Sequence, residues 1–288
     1  MVNWQDPQVI ENWTEVLVNI TFVILGLFGW SYIHSCQIES ALLRRQLTFR
    51  WQIVSYLTGR TFFLVTVILS AVTSIAIPPY IDCYYVLKFL AFSNNIAMAC
   101  TSTNLVVRTW TIWKTNRFVC VFMALATLGH WFTLMLSSKE TQISPSSPSS
   151  ELCGFVIVNP TYSAASAMYT MIFDFILLKL AIFGHWRSSS SSLFTIIRTQ
   201  GIIFYFIVFL TSVVPFIFSR LNLNYVMNVF FTWPATCIML IASSYAVIPT
   251  FTTPPTCHRT PVRGPLEGTR TTDEKPNVPI AARVDLSQ

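Results

Sequence analysis

Seven stretches of roughly twenty mostly apolar residues recur along the chain, and they leave very few folds open. In hydrocarbon every backbone N–H and C=O must be satisfied within the protein, so a chain of this kind crosses as helices. The stretches are Val16–His34, Gln52–Ile77, Tyr84–Val107, Phe118–Leu136, Tyr162–Phe183, Gly201–Ser219 and Val226–Ile248. Pro78-Pro79 closes the second and Pro249 the seventh. Only 10% of the residues are charged and 53% are hydrophobic, whereas a soluble domain carries about 25% charge. The sequence therefore predicts an all-α, polytopic membrane protein with seven transmembrane helices. Residues 1–15 form an outer arm, 16–248 the helical body and 249–288 a tail.

Lysine and arginine set the expected orientation. Arg44, Arg45, Arg50, Arg108, Lys114, Arg117, Arg187, Arg198 and the basic residues of the tail fall on one side. Only Lys88, Lys139 and Arg220 fall on the other, and the N-terminal arm has none. The basic side reads as cytoplasmic, with the N-terminus outside and the C-terminus inside. The net charge of +6 then follows from topology and does not point to nucleic acid. The arm has three acids, Asp6, Glu11 and Glu15, and none of the basic residues that open a cleaved signal peptide. The tail from Thr250 is rich in Pro, Thr and charge and reads as disordered. The outer loop carrying SPSSPSS, Ser144–Ser150, reads as flexible and as a candidate for O-glycosylation.

Polar groups inside the spans are the places to look for a task. Asp174 lies deep in the fifth stretch, where an ionisable group needs a partner or a function. Arg60, about nine residues into the second, lies at a similar depth of roughly 13 Å at 1.5 Å per residue. Equal depth predicts a buried Arg60–Asp174 ion pair. A transport or proton-relay role for Asp174 is the competing reading. Lys179, five residues from Asp174, is poorly aligned with it around the helix. The third stretch is the most polar, with Ser93, Asn94, Asn95, Thr101, Ser102, Thr103 and Asn104. That polarity faces other helices or a cavity, which makes Asn94, Asn95 and Asp174 candidate ligand contacts. Arg108 is expected at the inner headgroups. Pro215 and Trp233-Pro234 are expected to kink their helices. Cys83 and Cys153 are the two cysteines expected outside, where a disulfide can form. Asn12-Trp13-Thr14 is an N-glycosylation acceptor. No HExxH, P-loop, GxGxxG or GxSxG is present, and the four histidines do not share a ligand-spaced face. The sequence thus indicates no catalytic set, no metal and no cofactor.

Three stretches resemble a family of uncharacterised multi-spanning membrane proteins of mushroom-forming fungi. They are STNLVVRTWTIW (Ser102–Trp113), YTMIFDFILL (Tyr169–Leu178) and LNLNYVMNVFFTWPATCIMLIASSYAVI (Leu221–Ile248). The last resembles that family's spaced asparagines, its proline-alanine pair and its closing Ala-Val, with Tyr245 where the pattern has a basic residue. The resemblance implies a basidiomycete origin and a seven-span body, without a catalytic assignment. The topology is also similar to that of G-protein-coupled receptors. Val107-Arg108-Thr109 stands where those receptors carry an acid-Arg-aromatic triplet, and their Asn-Pro…Tyr motif is absent. A receptor-like sensor for a small or lipidic ligand is the leading expectation, with a cytoplasmic partner on its inner loops and tail. A non-catalytic organising protein comes next, then a transporter using Asp174 and Arg60. Enzymes come last.

Overall fold

The computed structural model describes residues 4, 6–43, 51–75, 83–139, 141–143, 156–158, 160–187, 192–222 and 225–252. They form a helical bundle of α1 (Pro7–Leu43), α2 (Trp51–Ile75), α3 (Cys83–Ile112), α4 (Arg117–Lys139), α5 (Pro160–Arg187), α6 (Ser192–Leu221), α7 (Tyr225–Phe230) and α8 (Thr232–Thr252). Five helices contain segments long and apolar enough to cross a membrane: Gln8–Cys36, Ile53–Ile75, Arg117–Lys139, Thr161–Gly184 and Gly201–Leu221. Large apolar side chains point away from the bundle, among them Trp30 at 73% exposed and Phe118 at 89%. In water such faces would be a liability; against lipid they are the normal exterior. The protein is an integral membrane protein.

The N-terminal arm departs from expectation. Helix α1 starts at Pro7, well before Val16. Asp6 explains this: its Oδ1 accepts from the Gln8 amide at 3.1 Å and its carbonyl from the Ile10 amide at 3.1 Å. An aspartate cap followed by proline at the first helical position is a strong helix start. Asn12 therefore lies on a helix, exposed, with the Thr14 hydroxyl bonded to the Ile10 carbonyl at 2.8 Å. At the other end of the body, α8 runs on through Pro249 to Thr252, beyond the expected stop. The tail after Thr252 lies outside the described residues.

The seventh stretch is two helices, broken at Phe231. Pro234 has no N–H to give the preceding turn, and the chain resumes with the Ala235 amide bonded to the Phe231 carbonyl at 3.1 Å. The long loop after α4 also differs from expectation in part. Residues 141–143 and 156–158 pair as an antiparallel hairpin, β1 and β2, with Gln142 opposite Ile157. This hairpin touches α3 and α7, while SPSSPSS lies outside the described residues.

Helix α3 is the centre. It packs against α2, α4, α5 and α8, which accounts for a polar helix inside an apolar bundle. Its seam with α2 is the tightest. A side chain on Gly59 would place a Cβ 2.9 Å from the Cys100 Cβ, so the two backbones meet there only because Gly59 has none. Hydroxyls zip the same seam: Ser55 donates to the Cys100 carbonyl at 3.0 Å and Ser93 to the Phe62 carbonyl at 2.9 Å. One apolar cluster, with Phe28, Phe63, Ala97 and Leu240, joins α1, α2, α3 and α8. Another, with Leu105, Phe173, Leu177, Tyr205 and Met239, joins α3, α4, α5, α6 and α8.

Candidate functional site

At the end of the bundle where α3, α5 and α8 begin, the second apolar cluster stops and a partly open cavity of about 150 Å³ takes its place. Helices α3, α4, α5, α6 and α8 all contribute to its wall. Each is there for a sequence reason. Small residues on α5, Ser163, Ser166 and Ala167, leave room that larger ones would fill. On α6, Pro215 removes a backbone donor from the helix facing them. On α8, Thr232 and Trp233 sit just after the break at Phe231. The wall combines apolar surface (Leu87, Leu90, Met98, Leu134, Met239) with hydroxyl and amide groups. No Lys, Arg, His, Asp or Glu lines it among the described residues.

Asn94 and Asn95, both expected contacts, line the cavity and behave differently. The Asn95 amide donates to the Leu134 carbonyl at 3.0 Å and the Ser138 hydroxyl at 2.8 Å, which ties α3 to α4. Asn94 is buried and turns its Nδ2 to the Met98 sulfur at 3.9 Å, while its Oδ1 has no hydrogen-bond partner. A buried acceptor left in this way is uncommon in a native protein and calls for a missing donor. Several hydroxyls of the wall are occupied. Ser166 donates to the Ser163 carbonyl at 3.0 Å, Thr170 to the Ser166 carbonyl at 2.9 Å and Ser212 to the Phe209 carbonyl at 2.8 Å. Ser219 donates to the Ser163 hydroxyl at 3.1 Å and draws α6 onto α5.

Asp174 is not in the wall; it lies beneath it. It is one helical turn below Thr170, about 6 Å along α5, and is 3% exposed. Side chains tilt toward the start of their helix, so its carboxyl leans back toward the turn of Thr170 and the cavity floor. Ser212 approaches it from α6, but the Ser212 hydrogen goes to the Phe209 carbonyl, and both carboxylate oxygens lack a hydrogen-bond partner.

The expected Arg60–Asp174 ion pair is not formed. Arg60 turns instead toward α1 and its own helix. It donates to the Tyr56 hydroxyl at 2.5 Å and the Ser31 carbonyl at 3.1 Å. Its guanidinium also lies 5.0 Å from the ring centre of Tyr32, 5.2 Å from Tyr56 and 6.0 Å from Phe28. Lys179 is likewise not a partner for Asp174: it is exposed, with its Nζ 5.2 Å from the Phe175 ring centre. Cys83 is disulfide-bonded at the start of α3, and Cys153 lies outside the described residues.

Two groups were not anticipated. Arg108 does not extend away from the bundle but donates to the Ala246 carbonyl on α8, lying so close to Gly201 on α6 that a side chain there would collide with it. Beside it the Tyr205 hydroxyl donates to the Leu105 carbonyl at 2.9 Å and meets the Thr109 hydroxyl at 3.0 Å. Helices α3, α6 and α8 are thus tied together at the end opposite the cavity that they also line. His130 is buried, with Nε2 3.2 Å from the Ser102 hydroxyl, and stacks on Tyr169 and Phe173 at ring-centre distances of 5.9 and 5.0 Å. Only a lone arginine and a lone glycine in the sequence hinted at the first group, and nothing hinted at the second. Comparison of the chain with protein-family models, curated proteins and solved structures gives no significant match.

Proposed function

We propose that the chain is a seven-span, receptor-like membrane sensor that takes a small ligand into the cavity between α3, α4, α5, α6 and α8. In this reading α7 and α8 together make the seventh span and the polar α3 is the third. The cavity opens on the outside, the basic loops and tail meet a cytoplasmic partner, and a Cys83–Cys153 disulfide ties the hairpin loop to α3. The resemblances to the fungal family and to G-protein-coupled receptors belong to the same proposal. The observation that carries it is the Asn94 carbonyl oxygen, buried in the cavity wall without a donor. Its coupling to the far end is supported by the contacts of Arg108 and Tyr205, which join three of the five cavity helices.

The test fills the cavity from within. Ala167→Trp places a large ring in it. Hydrogen exchange of the full chain in lipid nanodiscs should then change at residues 105–109, 201–206 and 243–247, on the opposite end. A change confined to the cavity wall would reject the sensor reading and leave a packing role. Solute flux through wild-type proteoliposomes that Ala167→Trp blocks would replace it with a transporter.

A further inference from the structure

The cavity has a chemical sign. Asn95, Ser166, Thr170, Ser212 and Ser219 have committed their side-chain hydrogens to protein acceptors. What they present to the cavity is therefore oxygen lone pairs. Asn94 adds an unpartnered carbonyl oxygen, and Asp174 adds two unpartnered carboxylate oxygens under the floor. Among the described residues no cationic side chain balances them in the wall. The wall also holds donors, the Ser163 and Thr232 hydroxyls and the Trp233 indole N–H, so its sign comes from the unmet oxygens of Asn94 and Asp174. Those oxygens complement a group that donates hydrogens and carries positive charge. The volume, about 150 Å³, matches a ligand of benzene size. Leu87, Leu90, Met98 and Trp233 supply apolar surface for a short hydrocarbon body, and an indole face attracts cations.

We infer that the cavity binds a small organic ammonium ion, its –NH3+ group resting over Asn94, Thr170 and Ser212 with Asp174 as the buried counter-charge. The inference rests on the cavity being a ligand site, as proposed above. It adds the ligand class. Three hydrogens on one nitrogen match the three kinds of acceptor offered there, and the positive charge compensates an aspartate that no cationic side chain reaches among the described residues.

Thermal unfolding of the full chain in nanodiscs tests this with three probes of equal length: n-butylammonium chloride, n-butanol and sodium butyrate, at matched ionic strength. Butylammonium alone should raise Tm saturably. Asp174→Asn should weaken that response about 30-fold or more, as when one member of a buried charge pair is removed. Asn94→Leu should weaken it about 10-fold while the body still folds, and this variant decides the matter if Asp174→Asn fails to fold. Equal shifts with butanol and butylammonium would overturn the ammonium assignment and leave the ligand site standing. No saturable shift with any probe, together with unchanged hydrogen exchange in Ala167→Trp, would overturn both. A butylammonium shift that Asp174→Asn and Asn94→Leu leave intact would place the amine elsewhere and also reject the inference.

Discussion

Arg60 and Asp174 are both charged, both inside the bundle and almost equally buried, at 1% and 3% exposed. Their surroundings are opposites. Arg60 sits between α1 and α2, and it meets a hydroxyl, a carbonyl and three aromatic rings. Asp174 sits under a cavity, with no hydrogen-bond partner on either carboxylate oxygen. Arg60 is part of what holds its region together. Asp174 burdens its region unless something from outside meets it. The contrast separates a structural half of the molecule, α1 with α2 and the facing side of α3, from a half built around a void.

The strongest way to break that contrast is to remove Arg60. Arg60→Ala leaves the Tyr56 hydroxyl and the Ser31 carbonyl without their donor and opens a hole against Phe28 and Tyr32. It should cost about 3 kcal/mol or more. Thermal unfolding in detergent reads this directly, and a loss under ~1 kcal/mol would mean that the cage is incidental. The next largest effect tests the same half through its backbone. Gly59→Val puts a branched side chain where even a Cβ would lie 2.9 Å from Cys100. Overpacking of that kind should cost about 1–3 kcal/mol. The change should leave probe binding in the cavity intact, because Gly59 does not line it.

Much of this division could be read from residues, and the rest could not for a physical reason. Length and apolarity are properties along the chain, so the helical stretches were visible, as was the oddity of a polar α3. Asn94 and Asn95 stand out as polar residues within an apolar stretch, and both line the cavity. The Arg60–Asp174 pair was inferred from depth, and depth says nothing of direction around a helix axis. Arg60 faces α1, while Asp174 is approached from α6. The early start of α1 was legible in Asp6-Pro7, but the polar residues Gln8, Glu11, Asn12 and Glu15 disguised the helix as an arm. The hairpin at Thr141–Ile143 and Val156–Val158 was not legible, since three-residue strands flanking a serine-rich loop carry almost no periodic signal. Arg108 looked like a headgroup anchor because its partner is the Ala246 carbonyl. Sequence does not advertise a backbone acceptor a long way down the chain.

Asp174 should respond in the opposite direction from Arg60. Asp174→Leu removes an unsatisfied carboxyl from beneath the cavity and puts apolar volume beside Phe173 and Leu177. With no probe present it should raise stability by about 1–2 kcal/mol. The cost should appear in function, as loss of any saturable butylammonium response. A fall in stability of that size would show that Asp174 has a structural partner after all, and the two halves would no longer differ in kind.

The smallest effect is the most discriminating. If Arg60 and Asp174 belong to separate halves, their substitutions must not know of each other. Arg60→Lys and Asp174→Asn are mild enough for the double variant to fold, so a thermodynamic cycle can be closed. Arg60→Lys should lose the second donor of the guanidinium and part of its contact with three rings, since a compact ammonium cannot replace a planar fork. Asp174→Asn should change little. The double variant should then equal the sum of the two within about 0.5 kcal/mol, the usual tolerance for sites without shared partners. A buried ion pair would instead give a coupling of several times that size, because removing one charge strands the other. Sub-additivity would restore the pair suggested by equal depth, and additivity would leave Asp174 free to meet a ligand.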